Sequence, residues 1–126
     1  MAFKVIGELG TGGYSFVEEV HEGIVPYARK TFRYNQPMAN ALLEANARAR
    51  FIKEAKYQAG LIHRNIVPIL RMNLNDDPPS YLMPVAEATL EDDMLKDRSL
   101  GNEYVRVLMD ILAGLEEMHS VGMTHR

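Results

Sequence analysis

Apolar and polar residues alternate over the first 32 positions in the manner of short strands. Residues 4–9, 16–20 and 24–32 are rich in β-branched and aromatic residues, and turn-forming segments at 10–13 and 21–23 separate them. Period-two runs bounded by turn residues predict β-strands. Because both connections are tight, the three strands are expected to form an antiparallel meander.

The pattern then changes to a helical one. Residues 38–61 consist mainly of strong helix formers, and Ala47, Phe51, Ala55 and Ala59 recur every four residues on one face. Strand character returns at 66–74 and 80–85, on either side of a proline-containing loop. A short helix is expected within 87–102, and residues 103–119 follow the i, i+3, i+4, i+7 pattern of a longer amphipathic helix. The sequence therefore predicts an α+β fold with five strands.

Composition narrows the functional classes without naming one. The chain has 126 residues, 47% apolar and 25% charged, which suits a single globular domain. A net charge of −3 gives no case for nucleic-acid binding. There is no cysteine, and none of the four histidines forms an H-E-x-x-H pair, so no metal site is expected. No signal peptide or membrane segment is recognised, and we expect a cytoplasmic location.

Residues 10–17 (GTGGYSFV) carry the first chemical signal. Glycines allow close backbone approach, and their N–H groups can surround phosphate oxygens. Taken alone, such a segment is more often a plain hairpin turn. A dinucleotide-binding fingerprint requires a helix after the glycines, whereas a strand follows here, and a P-loop requires a terminal Gly-Lys-Ser/Thr. A glycine loop between two antiparallel strands is the arrangement that covers ATP in protein kinases.

Further segments extend this resemblance along the chain. Residues 27–30 (YARK) resemble the kinase V-A-I-K element, and residues 50–55 (RFIKEA) resemble the αC segment with its lysine-pairing glutamate. Residues 63–67 (HRNIV) are similar to H-P-N-I-V, residues 81–86 (YLMPVA) to the fifth strand and hinge, and residues 115–126 to the end of αE and the start of H-R-D. The chain thus resembles the ATP-binding half of a eukaryotic-type protein kinase of bacterial-like Ser/Thr style.

The resemblance implies a kinase-like N-lobe over residues 1–86, with one αC helix beside a five-stranded antiparallel sheet. Residues 87–126 would form the hinge exit and the start of the C-lobe, including the helices αD and αE. His125 and Arg126 would open the catalytic loop. The catalytic aspartate and the Mg²⁺ ligands would follow Arg126, so we expect a truncated kinase domain that is inactive alone.

The resemblance also implies the site residues. Lys30 would hold the α- and β-phosphates of ATP, and Glu54 would pair with Lys30 and fix it, so these two are the candidate catalytic residues. At the hinge, the carbonyl of Pro84 and the N–H of Ala86 would bind adenine, with Met83 as gatekeeper; proline lacks only the N–H. The candidate ATP-binding residues are Leu9, Gly10, Thr11, Gly12, Gly13, Tyr14, Ser15, Phe16, Val17, Ala28, Lys30, Met83, Pro84 and Ala86.

Two positions depart from the family pattern. Ser15 stands where a third glycine is common, and Gln58 stands where an apolar residue usually packs beside αC. The implied partners are ATP, Mg²⁺ and, in the whole enzyme, a protein substrate that receives the γ-phosphoryl group. A non-catalytic, pseudokinase-like module and a small-molecule phosphotransferase remain alternatives. The apolar face of the 103–119 helix is expected to be exposed and to favour self-association.

Overall fold

The computed structural model describes residues 2–37 and 40–123, so the predicted catalytic-loop residues His125 and Arg126 lie outside the described residues. Three strands precede the first helix, and two further strands precede the last two helices. The elements are β1 (Lys4–Thr11), β2 (Ser15–Glu22), β3 (Val25–Phe32), α1 (Ala41–Ala59), β4 (Arg71–Asn73), β5 (Ser80–Met83), α2 (Leu90–Lys96) and α3 (Tyr104–Ser120).

The five strands form one sheet in the order β1-β2-β3-β5-β4, and every neighbouring pair is antiparallel. The first three strands are the predicted meander. β5 then pairs with β3, which places the short β4 at the edge. The α+β class and the five-stranded antiparallel sheet, as in a kinase N-lobe, are confirmed.

The first strand is longer than its hydrophobic pattern predicts. Gly10 and Thr11 stay in the ladder, opposite Val17 and Phe16, although the glycines were expected to end the strand after residue 9. Glycine lowers strand propensity without removing a backbone hydrogen-bonding group, so pairing can continue through it. The glycine turn is therefore only the three residues between β1 and β2.

Two other strands are shorter than predicted, and proline explains both. β4 was expected over 66–74 but covers only Arg71–Asn73, since Pro68 cannot donate to a ladder. Leu70 still donates its N–H to the carbonyl of Leu82 at 2.8 Å. β5 was expected to reach residue 85 but ends at Met83, immediately before Pro84, for the same reason.

One face of the sheet packs against α1. The Phe51 ring lies 5.8 Å from the Phe32 ring and 5.4 Å from the Tyr81 ring, and all three side chains are buried. Ala47 and Ala55 complete the cluster on the predicted apolar face of the helix. Small residues one turn on either side of Phe51 let the helix lie close to the sheet, so this cluster fixes where α1 faces β3.

The opposite face has its own buried residues. Val20 and Leu82 are fully buried there, and Tyr27 pairs directly with Val20. The guanidinium of Arg71 lies 5.5 Å from the ring centroids of both Phe3 and Tyr27. This face is therefore closed by aromatic and arginine side chains.

A second, smaller cluster joins the C-terminal end of α1 to α3. Leu61, Met118 and Met123 are buried together, with Ile66 and Leu115 packed against them. Gln58 lies beside this cluster, at a cavity of about 370 Å³ that Met118 and Met123 also line, and its Nε2 donates to the Val67 carbonyl at 2.8 Å. The end of α1 is thus fixed by a hydrogen bond where an apolar contact was expected.

Most of the apolar face of α3 is exposed, as predicted. Of this helix, only Gly114 and Met118 are buried. The exposed members are Tyr104, Val105, Leu108, Met109, Ile111 and Leu112, which are 42% to 61% exposed. Within residues 2–37 and 40–123, no helix combines the length and apolar character needed to cross a membrane.

Candidate functional site

Lys30 lies on the sheet face that α1 covers. It is directly opposite Val17 on β2 and Tyr81 on β5, and directly opposite residues on antiparallel strands share a face. Tyr81 contacts Phe51 of α1, so the Lys30 side chain starts on the helix side of the sheet. Ala28 and Met83 pair with each other two positions further along the same face.

The glycine turn, Lys30 and α1 surround one cavity of about 230 Å³. The predicted site residues around it come from the turn, from β3 and from the helix. Its lining residues are Gly12, Gly13, Tyr14, Ser15, Lys30, Ala47, Arg50, Phe51 and Glu54. The structure therefore brings the loop and both candidate catalytic residues to the same cavity.

Lys30 and Glu54 share the cavity without a close ion pair. Among the described residues, the ion pairs within 4.0 Å do not include these two side chains. The Glu54 carboxylate nevertheless acts on its surroundings: burial raises the pKa of Tyr81 to about 12, and the negative charge of Glu54 adds to that effect. The Lys30–Glu54 pair stays a prediction.

Residues 33–36, which we call the tether, hold the glycine turn from the side. The Gly13 carbonyl accepts hydrogen bonds from the Asn35 N–H at 2.9 Å and from the Gln36 Nε2 at 3.0 Å, and the Tyr14 carbonyl accepts one from the Arg33 N–H at 3.0 Å. Three hydrogen bonds onto two successive carbonyls restrict the position of the turn. A backbone that is already ordered loses less entropy when it binds a ligand.

Gly13 is the residue of the turn where an added side chain would meet the tether. A Cβ atom built there would lie 2.4 Å from the Gln36 Nε2, closer than side-chain atoms approach one another. The Gly12 N–H donates to the Ser15 carbonyl at 2.8 Å, which closes the turn. The Tyr14 ring lies 6.1 Å from the Tyr34 ring, so the tip of the turn also packs on the tether.

Some predicted ATP-binding residues lie away from this cavity. Phe16 pairs with Thr31 and its side chain is on the other face, with the Arg33 guanidinium 4.6 Å from its ring centroid. Leu9 is 51% exposed, in the irregular part of β1 that also contains Gly10. Thr11, the last residue of β1, donates its hydroxyl hydrogen to the Glu8 carboxylate and does not line the cavity, although the next residue, Gly12, does.

Of the predicted base-binding residues, Val17 lies directly opposite Lys30, and Ala28 and Met83 lie two positions further along the same sheet face. Ala28 is buried, Val17 is half-buried, and Met83 packs against the main core cluster. Pro84 and Ala86 follow β5 and are exposed. These residues do not line the 230 Å³ cavity, so their part in base binding stays a prediction.

The charges around the cavity favour an anion. Lys30 and Arg50 are cationic and Glu54 is anionic, so the ionisable lysine, arginine and glutamate side chains sum to a positive charge. Residues 2–37 and 40–123 contain no group of three or more His, Asp and Glu side chains placed to bind a metal ion. The described residues thus fit phosphate oxygens, and we assign none of them to Mg²⁺.

Arg50 is the cavity residue that the sequence interpretation missed. The sequence analysis included Arg50 only as the first residue of the 50–55 segment that resembles αC, and it assigned no function to this side chain. Residues four apart lie on one side of a helix, so the spacing between Arg50 and Glu54 already indicated that both side chains face the same region.

Known proteins with sequences similar to this chain are protein kinases. No protein-family model matches the chain. Over 98% of its length it is similar to proteins named "Serine/threonine-protein kinase PknD": 26% identical to that of Chlamydia felis, 28% to that of Chlamydia trachomatis serovar D and 26% to that of Chlamydia pneumoniae. The chain spans 14% of the length of each of these relatives. The resemblance to protein serine/threonine kinases is confirmed by these similarities.

Proposed function

We propose that this chain is the ATP-binding part of a protein serine/threonine kinase. The observation that carries the proposal is the single cavity shared by Gly12–Ser15, Lys30 and Glu54. Its positive charge and glycine-lined wall suit the phosphates of a nucleotide. The similarity to serine/threonine-protein kinases supports the same conclusion.

In this proposal, Lys30 binds the phosphates as a point charge. Glu54 keeps the ammonium in the cavity, either through a direct contact formed when nucleotide binds or through the attraction of its charge. The tether holds the glycine turn over the phosphates through the Gly13 and Tyr14 carbonyls. When bound, ATP supplies the phosphoryl group, and these residues position it.

The base would lie beyond Lys30, between Ala28 and Met83 on the same sheet face. There the Pro84 carbonyl would accept a hydrogen bond from the base and the Ala86 N–H would donate one. Both residues are exposed and follow the end of β5, which supports this assignment because their backbone groups are outside the ladder.

The activity of the whole protein is part of the proposal. By the resemblance, it would transfer the γ-phosphoryl group of ATP, with Mg²⁺, to serine or threonine hydroxyls of a protein substrate. The resemblance assigns none of the described residues to proton transfer or metal binding. The division at residue 86 and the cytoplasmic location stay predictions.

The test is nucleotide titration by calorimetry, with Lys30→Ala compared with Lys4→Ala. Lys4 is an exposed lysine at the start of β1 and serves as a matched control. Loss of a charged hydrogen bond, worth about 1.5–3 kcal/mol, is expected to weaken ATP binding by about 10-fold to 100-fold and to leave adenosine binding unchanged. Equal ATP affinities for wild type and Lys30→Ala would remove Lys30 from the phosphate site and the proposal with it.

Two other functions make different predictions. A non-catalytic nucleotide-binding module would show the same Lys30 dependence, but the full-length protein would transfer no phosphate to any acceptor. A small-molecule phosphotransferase would phosphorylate small acceptors in preference to proteins. Incubating the full-length protein with radiolabelled ATP and both kinds of acceptor separates the three functions.

We also propose that the isolated chain self-associates through α3. The support is the exposed apolar row of Tyr104, Val105, Leu108, Met109 and Leu112. Sedimentation velocity over a concentration series is expected to show a dimer that Leu108→Lys dissociates. A monomeric boundary for the wild-type chain at all concentrations would contradict this.

A further inference from the structure

Arg50 gives the glycine-turn cavity its excess of positive charge. Lys30 and Glu54 balance each other, and Arg50 is the additional cation that lines the cavity. A nucleoside triphosphate carries several negative charges, and the number rises with each phosphate. A second cation at the cavity would therefore raise the affinity for a nucleotide with more phosphates above that for one with fewer.

Within the described residues, the Arg50 guanidinium has no carboxylate partner. Four other arginines, Arg29, Arg48, Arg71 and Arg106, have carboxylate oxygens at 2.5–3.1 Å. Glu54 lies four residues after Arg50 but not within 4.0 Å of it, and arginine before glutamate is the less favourable order for such a pair. The donors of Arg50 are thus available to a ligand in the cavity.

The position of Arg50 along the site identifies which phosphate it meets. Glu54 is at the Tyr81 end of the cavity, since its charge contributes to the raised pKa of Tyr81. Four residues earlier in the helix, Arg50 is about 6 Å nearer the N-terminus of α1. That direction leads to Phe32, since the Arg48 guanidinium lies 5.5 Å from the centroid of the Phe32 ring. Phe32 pairs with Ser15, the residue that follows the glycine turn.

The order along the sheet face is therefore Met83 and Ala28, then Lys30, then Arg50. A nucleotide with its base beside Met83 and its phosphates extending past Lys30 reaches Arg50 last. A guanidinium presents a planar set of donors that binds phosphate oxygens in pairs, so this side chain suits a terminal phosphate.

We propose that Arg50 is a second phosphate-binding residue, which contacts the terminal phosphate of a nucleoside triphosphate and favours the triphosphate over the diphosphate. This inference rests on the proposed nucleotide site. It assigns a direct ligand contact to a helix residue that the sequence motif left without a role.

The chain offers a matched control for this assignment. Arg50 also borders a second cavity, of about 370 Å³, which is lined by Lys53 and Tyr57 but not by Lys30 or the glycine turn. Lys53 is an exposed cation on the same helix, so Lys53→Ala removes the same charge from the neighbouring cavity. Both positions are exposed, and alanine favours the helix, so both variants are expected to fold.

The experiment measures the dissociation constants of ATP, ADP and AMP by calorimetry without magnesium, so that only the cations of the protein meet the phosphates. Wild type is compared with Arg50→Ala, Arg50→Lys, Lys53→Ala and Lys30→Ala. Arg50→Ala is expected to weaken ATP binding about 10-fold, because an exposed charged hydrogen bond lies at the low end of the usual range. ADP binding should change about twofold or less and AMP binding not at all, with Arg50→Lys intermediate for ATP.

The outcomes separate this inference from the proposed function. If Lys30→Ala weakens ATP binding and Arg50→Ala does not, Arg50 is not a phosphate ligand and the nucleotide site stands. If Arg50→Ala weakens all three nucleotides equally, or Lys53→Ala matches it, the effect is one of general charge and the terminal-phosphate assignment fails. If wild type binds none of the three nucleotides, both proposals fail.

Discussion

The contact between Gly13 and Gln36 gives a sharp prediction about how the glycine turn is held. A methyl group at residue 13 would lie 2.4 Å from the Gln36 Nε2. The Gln36 side chain is flexible, so Gly13→Ala should displace it and break its 3.0 Å hydrogen bond to the Gly13 carbonyl. The Asn35 N–H bond to the same carbonyl is a backbone contact and should persist.

Two effects of opposite sign determine how much Gly13→Ala changes the free energy of unfolding. Losing the Gln36 hydrogen bond lowers the free energy of unfolding by about 0.5–1.5 kcal/mol. Gly13 does not have positive φ, so alanine is compatible with its backbone and should raise the free energy of unfolding by about 0.4–1 kcal/mol through the unfolded state. The single variant is therefore expected to lie within about 1 kcal/mol of wild type.

A double-mutant cycle isolates the contact. In the Gln36→Ala background, Gly13→Ala displaces nothing and should only stabilise the protein. The coupling free energy between the two substitutions is expected to be about 0.5–1.5 kcal/mol, measured by urea unfolding of the four proteins. Gly7→Ala is the control, since a Cβ there meets nothing within 4 Å, and its effect should be the same in both backgrounds.

The reasoning is refuted if the Gly13 and Gln36 substitutions are additive within about 0.3 kcal/mol, the usual scatter for independent sites. Additivity would mean that Gln36 does not hold the turn in solution.

Three further predictions concern the core, a tyrosine and a helix cap. Phe51→Ala should lower the free energy of unfolding by about 3–5 kcal/mol, because the ring is buried between two others; a loss below about 2 kcal/mol in urea unfolding would contradict that packing. The folded-state pKa of Tyr81, about 12, is above the ordinary 10.0, so stability present below pH 10 should be lost as the pH rises through 12. Ultraviolet titration should show one late tyrosine that Tyr81→Phe removes and Glu54→Gln shifts down; simultaneous ionisation of all tyrosines would count against this. Thr89→Ala should cost α2 about 1 kcal/mol by removing its capping box. Hydrogen bonds from the Thr89 backbone N–H and, to a smaller extent, from its side chain lower the pKa of Asp92, so their stabilisation is present above pH 3.8 and lost as the pH falls; alanine keeps the backbone bond, so an NMR titration should show the Asp92 pKa rising only partly toward its ordinary value in the variant.

Much of the fold was predictable because each element carries a local signal. The meander, α1 and α3 follow from strict periodicity, and the structure moves their ends by only a few residues. The errors at β4 and β5 come from proline: Pro68 and Pro84 are compatible with extended backbone but cannot donate to a ladder. The apolar pattern of a segment therefore does not show whether its extended backbone pairs with another strand.

The site was predictable where side chains carry its chemistry. Lys30 and Glu54 were identified by type and spacing, and the cavity contains both. The tether could not be predicted in this way, because it holds the turn through backbone carbonyls. The contact between Gln36 and Gly13 also spans 23 positions in sequence. Phe16 shows the reverse case: strict alternation with Val17 already indicated that only one of the two side chains faces Lys30.

The hydrogen bond from Gln58 to Val67 has a mechanical consequence for α1. It fixes the C-terminal end of the helix, where Leu61 is also buried. The first six residues of α1 are all exposed, and the ion pair nearest that end joins Arg48 to a carboxylate that is itself 80% exposed. Such a pair contributes about 0–1 kcal/mol.

Tilting of α1 should therefore pivot near Gln58. At about 1.5 Å per residue, Glu54 lies about 6 Å from that pivot and Arg50 about 12 Å, so any tilt displaces Arg50 twice as far. A small rotation that keeps Phe51 packed between Phe32 and Tyr81 would then move the Arg50 guanidinium further than the Glu54 carboxylate.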